Sequence, residues 1–209
     1  MRNLIYILIG LLVGLFSCKN EDLMLTKIEK ELINSASVEV PFYVLQTDVE
    51  PDSAFLRLKA KDVDVASIGE DQDLALLIAR MKTTLLKEFG VGLAAPQVGI
   101  SRNVFLFMRM DQPDSLIITT AINPKIVDHP NETVCFEGDG CLSIPDVGGN
   151  SIRYPWVDVE YYTEEGELIR ERLSGYSRET DFTGVIFQHE FDHLQGVLFI
   201  DKLWEEKEN

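Results

Sequence analysis

The chain has 209 residues, with 35 acidic against 19 basic side chains and a formal net charge of −16. A surface that acidic repels phosphate backbones and anionic headgroups, which argues against nucleic acid as a partner. Hydrophobic residues make up 45%, and no internal repeat or low-complexity tract interrupts them, so the bulk of the chain suits one domain with a sizeable core.

Met1-Arg2-Asn3 is a short positive segment, and Leu4 through Phe16 is an unbroken run of apolar residues, Gly and one Tyr. That run is short for a membrane span, which needs about 20 residues, and fits a signal-peptide core. Leu15-Phe16-Ser17-Cys18 closes it and resembles a bacterial lipobox. Residues 1–17 are therefore expected to be a lipoprotein signal peptide, and Cys18 the lipidated first residue of an exported, membrane-anchored chain. An uncleaved anchor and cleavage by ordinary signal peptidase are the alternatives. Residues 18–40 then form the lipidated Cys and a polar tether, with a short helix around Leu23 to Ile33, and residues 41–209 form the folded domain.

Within that domain, Leu74, Leu77, Ile78, Met81, Leu85 and Phe89 recur at helical spacing, and Gly90 is a natural stop. Gly90 through Gly99 follows as a loop dense in small residues with one neutral amide, Gln97. It is no phosphate loop, because the Lys-Ser/Thr ending is absent. Val104 to Met108 reads as a strand. Trp156 to Tyr162 alternates Val157, Val159 and Tyr161 inward with Asp158 and Glu160 outward. Glu165-Gly166 offers a turn into another strand at Glu167 to Leu173. The expected class is α+β, with antiparallel strands around one central metal-bearing helix.

That helix carries Gln188-His189-Glu190-Phe191-Asp192-His193. Two imidazoles four residues apart share one helix face and can grip one transition metal, with Glu190 beside it as a proton acceptor. Two of the chain's three histidines sit here. A third ligand does not follow downstream. Gly196 is present as in one metalloprotease class, but Phe199 stands where that class has its third His, and Glu205, Glu206 and Glu208 lie in a short polar tail. Upstream, Cys141 in Gly138-Asp139-Gly140-Cys141-Leu142-Ser143-Ile144-Pro145 offers a thiolate suited to zinc or ferrous iron. A lone Cys is more commonly a small buried hydrophobe.

Taken in order, the Gly90–Gly99 loop, the Cys141 segment and the His189–His193 helix resemble the peptide deformylase family. Ile122-Asn123-Pro124, Arg153-Tyr154-Pro155 and Gly196 to Asp201 add to the likeness, which runs from about Pro41 to Leu203. The resemblance implies removal of the formyl group from N-formylmethionyl peptides by attack of water on a divalent metal, Fe2+ or alternatively Zn2+. It implies Cys141, His189 and His193 as metal ligands, Glu190 as the proton-transfer group, and the Gln97 amide and Leu142 N–H as oxyanion donors. Gly92, Val91, Val185 and Ile186 fall at positions that face the substrate. Two departures stand out. Asp139 replaces the family's Glu, which pairs with an Arg at the position of Arg153. Gly184 replaces an Ala and is expected to fray or bend the first helical turn.

An exported, acidic chain is not expected to serve nascent chains at the ribosome. Export also raises the prospect of a disulfide between Cys135 and Cys141, although Cys135 is expected to be a bystander. The rival readings are an exported metal hydrolase acting on another N-acyl peptide or amide, and a lipoprotein that binds metal or peptide without turnover.

Overall fold

A computed structural model describes residues 21–112 and 117–205. The apolar run, the lipobox-like segment and Cys18 lie outside the described residues. Four helices and seven strands carry the fold: α1 (Lys27–Ile33), α2 (Glu50–Leu56), α3 (Gln72–Lys87), β1 (Gly92–Ala94), β2 (Val104–Met108), β3 (Ile118–Asp128), β4 (Val134–Cys141), β5 (Ile144–Arg153), β6 (Trp156–Tyr162), β7 (Leu168–Ser174) and α4 (Thr183–Leu194). Five strands form an antiparallel sheet in the order β1-β2-β3-β6-β7, and β4 and β5 form a separate antiparallel pair. This is the expected α+β architecture.

β2 explains the layering. Val104, Leu106 and Met108 join the core shared with α3, while Phe105 and Phe107 face the core shared with α4. A strand buried on both faces needs no polar alternation, hence the continuous Val-Phe-Leu-Phe-Met run. Phe187 of α4 meets Phe105 and Phe107 edge-on, at 4.9 and 5.5 Å between centroids. β6 has one covered face, and its Val157, Val159 and Tyr161 are buried as the alternation predicts.

Asp71 caps α3 by accepting from the Asp73 and Leu74 backbone N–H groups. Leu74, Leu77, Ile78, Met81 and Leu85 form the buried stripe. Phe89 does not belong to it. It is 94% exposed, at φ +54, in the left-handed position just past the helix end. Gly90 N–H bonds Leu85 O and Phe89 N–H bonds Leu86 O, the paired bonds that close a helix C-terminus.

The expectation of a tether up to residue 40 is corrected over its described part. Leu25 and Ile33 are core residues. The Arg102 guanidinium, 1% exposed, is held by Glu29 and by the carbonyls of Asp22, Met24 and Asp62. Arg80 donates to the Leu32, Ile33 and Val40 carbonyls and lies over the Phe42 ring. Residues 21–40 are thus one wall of the domain. Burial opposes ionisation of Glu29, but hydrogen bonds from Arg102 and the Thr26 backbone hold its carboxyl below the ordinary range. A lowered folded-state pKa means the stabilisation is present above the ordinary glutamate range and is lost as pH falls from there through the lowered folded value. Glu29→Gln leaves Arg102 buried without its counter-charge and is expected to cost about 3 kcal/mol, measured by urea unfolding at neutral pH. The deficit should shrink in acid.

Candidate active site

α4 is buried around nearly its whole circumference, with only Phe191 half-exposed among its twelve residues. Its first turn is pinned rather than frayed. Asp181 accepts from Thr183 N–H, and Thr183 Oγ1 accepts from the Met110 and Asp111 backbones. A Cβ on Gly184 would stand 3.0 Å from Ser174 O and 3.1 Å from Leu173 O. Gly184 therefore serves close approach of α4 to β7, which corrects the expectation of a bent start.

The helix carries His189 and His193 to the end of β4, where Cys141 waits. One ligand atom each from Cys141, His189 and His193 lie within 4.8 Å of one another. Cys141 Sγ is 3.2 Å from His193 Nε2. A sulfur and two imidazole nitrogens converging at this spacing suit a tetrahedral divalent ion with an open fourth position. Beside the two histidines, the buried Glu190 Oε2 has no protein partner among the described residues.

Asp139 does more than the sequence suggests. Its Oδ1 accepts from His189 Nδ1 at 3.1 Å, which leaves Nε2 of that ring for the metal. Its Oδ2 accepts from Arg153 Nη2 at 2.7 Å and Ser151 Oγ at 2.6 Å. The Asp139–Arg153 pair thus survives the shorter side chain. Asp192 is buried and accepts from Arg153 Nη1 and Lys202 Nζ, so it orients the arginine. Burial works against charge on His189, but Asp139 and Cys141 outweigh it and raise its pKa well above the ordinary value. His193 is held well below by burial and by the neighbouring His189 and Arg153 charges, so it stays a neutral ligand.

Glu190 is buried beside the two rings. Burial, reinforced by the Asp139 and Asp192 charges, pushes its carboxyl up to about 7 against the pull of His189 and Arg153. Gly92 makes room for it: a Cβ there would lie 2.7 Å from the Glu190 carboxyl carbon. Gly92→Ala is expected to displace that carboxylate, keep the metal and lower kcat/KM by about a hundredfold, checked by metal analysis beside steady-state kinetics.

Gln97 sits in a short turn after β1. Its Oε1 accepts from Ala94 N–H at 2.8 Å, which aims Nε2 at Cys141 Sγ, 3.5 Å away, and Ser143 Oγ, 3.2 Å away. Leu142 follows Cys141 in the two-residue turn between β4 and β5. The extended segment after Pro41 ties both loops in place: Leu45 N–H bonds Gln97 O, Thr47 N–H bonds Ser143 O, and Gln46 Nε2 donates to Leu142 O. Val91, Val185 and Ile186 come together in one small cavity that reaches His189 and Glu190. Phe136, Phe182 and Arg178 also wall it, and no sequence motif pointed to them. Cys135 lies in β4 and lines a different cavity.

A Cys-His-His cluster with a buried glutamate beside it, set between a helix and an antiparallel sheet, defines a metal-dependent hydrolase. Comparison with known proteins narrows the class. The profile of the family described as Polypeptide deformylase matches residues 46–209. Peptide deformylase 2 of Nostoc sp. is 42% identical over 139 residues, covering 64% of this chain and 73% of that one. Peptide deformylase of Thermotoga maritima is 40% identical over 148 residues, covering 71% and 80%. Among solved structures, the Met-Ala-Ser-bound class I type b peptide deformylase from Acinetobacter baumannii superposes with a TM-score of 0.68 at 32% identity, covering 79% of this chain and 99% of that one. The peptide deformylase from Thermotoga maritima gives 0.66 at 34%, with the same coverage. The chain belongs to the peptide deformylase family.

Proposed function

We propose that this chain removes the N-formyl group from N-formylmethionyl peptides with one divalent metal held by Cys141, His189 and His193. The observation that carries the reading is the buried Glu190 carboxylate beside the three convergent ligands. A divalent ion bound there supplies a Lewis acid and lowers the pKa of water from about 16 toward neutrality. The protein's own groups do the rest. Glu190 takes the proton of the attacking water and later hands it to the leaving amine nitrogen as the carbon–nitrogen bond breaks, so that formate and a free amino terminus result. Gln97 Nε2, fixed by Ala94, and the Leu142 N–H donate to the oxygen that gains negative charge, and one such donor is typically worth about a hundredfold in rate. Val91, Val185 and Ile186 receive the methionine side chain, as fits a relative whose structure holds Met-Ala-Ser. The thiolate brings negative charge to the centre, and ferrous iron is the metal we favour, with zinc able to occupy it. Formate release from formylated and acetylated versions of one peptide tests the reading. Equal rates on the two would defeat it.

We further propose that the chain is an exported lipoprotein anchored at Cys18 and working on formylated peptides away from the ribosome. The support is the apolar run of Leu4 to Phe16 ending at Leu15-Phe16-Ser17-Cys18, together with the acidic composition. Mass spectrometry of the mature amino terminus checks it: a diacylated Cys18 is expected, and an intact Met1 in a cytoplasmic fraction would refute it.

A further inference from the structure

The cavity beside His189 and Glu190 has a volume of about 40 Å³. A second cavity, of about 400 Å³, opens on the surface next to Cys135, Glu137 and Tyr176. Arg178 is the one described residue that lines both. Two local features put it there. β4 carries one residue more than β5 between Phe136 and Asp139, a bulge with Gly138 at φ +71. The Gly138 carbonyl accepts from Arg178 Nη2 at 2.7 Å. The loop between β7 and α4 is closed on itself by Ser177 N–H bonding Asp181 O, with Gly175 at φ +92 against Asp181. The guanidinium then stands over Phe136 and Phe182, at 5.1 and 5.2 Å from their ring centroids. Those two rings are walls of the inner cavity.

A bound water occupies roughly 10–15 Å³ on this measure, so the inner cavity takes about three. That suits an unbranched methionine side chain and leaves nothing for a longer one unless the partition moves. We propose that Arg178 is a specificity-determining residue that sets the depth of the first-residue pocket, separating it from the surface cavity behind. The inference rests on the deformylase reading and adds a rule to it: a longer or aromatic first side chain must lift the guanidinium off Gly138 and the two rings before it can enter. Arg178 is exposed and belongs to a loop, so its removal leaves the core and the ligand set untouched.

The test uses the full chain loaded with ferrous iron, as wild type, Arg178→Ala and Arg178→Met. Formate release is compared on formyl-Met-Ala-Ser and on the same peptide with 2-aminooctanoate or Phe in first place. Arg178→Ala is expected to raise the ratio of kcat/KM for the longer side chains over that for the methionyl peptide about tenfold or more. Arg178→Met, a plug without charge, should keep the wild-type order. Unchanged ratios in Arg178→Ala, an equal loss on all three peptides, or Arg178→Met following Arg178→Ala would each overturn the partition. No formate from the methionyl peptide with wild type would instead bring down the deformylase reading and this inference with it.

Discussion

Glu190→Gln is expected to retain its metal and to lose kcat/KM by about a thousandfold or more. The amide is nearly the shape of the carboxylate, so the Gly92 niche and the α4 packing stay filled. What disappears is the buried group beside the cluster that can hold a proton in transit. Positioned proton transfer is typically worth about a hundred- to ten-thousandfold. The pH profile gives a second reading. Burial pushes the Glu190 carboxyl up to about 7, and a cation bound alongside favours the ionised form and draws it back down. The acid limb of the wild-type kcat/KM profile is therefore expected between the ordinary glutamate range and about 7, with activity rising as pH rises. Glu190→Gln should have no such limb. A metal-loaded glutamine variant with wild-type turnover would remove Glu190 from the mechanism.

Cys141→Ala carries the second large effect. The thiolate ends β4 and is the one ligand not on α4, so without it two imidazoles remain on a single helix face. The variant is expected to fold, to purify without stoichiometric metal and to release no formate above background. Cys141 is only half-buried, so little packing is lost. Cys135→Ala is the matched control: its side chain lines the surface cavity rather than the metal cluster, and metal content and turnover should match wild type. If the two variants fail alike, the ligand assignment is wrong. Circular dichroism on both separates loss of fold from loss of metal.

These effects concern a site much of which could be read from the chain. His189 and His193 are legible because i, i+4 spacing fixes their common face before any tertiary contact is known. β6 is legible because one of its faces meets solvent and the other meets core, so its composition alternates. α4 is buried around nearly its whole circumference, so no solvent-facing polar side announces a helix; only its metal motif gives it away. Asp139 hides its main role, since nothing local says that a residue fifty positions before His189 will accept from its Nδ1. The same holds for residues 21–40. Their polarity suggests a tether, yet Glu29 answers a buried Arg102 seventy-three positions later, and the sequence records no such pairing. Phe89 fails for the opposite reason: its spacing continues the α3 stripe, but the helix ends two residues earlier and the left-handed backbone turns the ring outward. Arg178 depends on a bulge and a loop meeting, and neither has a sequence signature of its own.

The most direct test is anaerobic purification of the chain and measurement of formate released from formyl-Met-Ala-Ser, with ferrous iron or zinc supplied in turn at one equivalent. Metal-dependent release that disappears in Glu190→Gln is the predicted result. One metal bound per chain with no formate released by either ion would contradict it, and would leave a deformylase fold that binds without turning over.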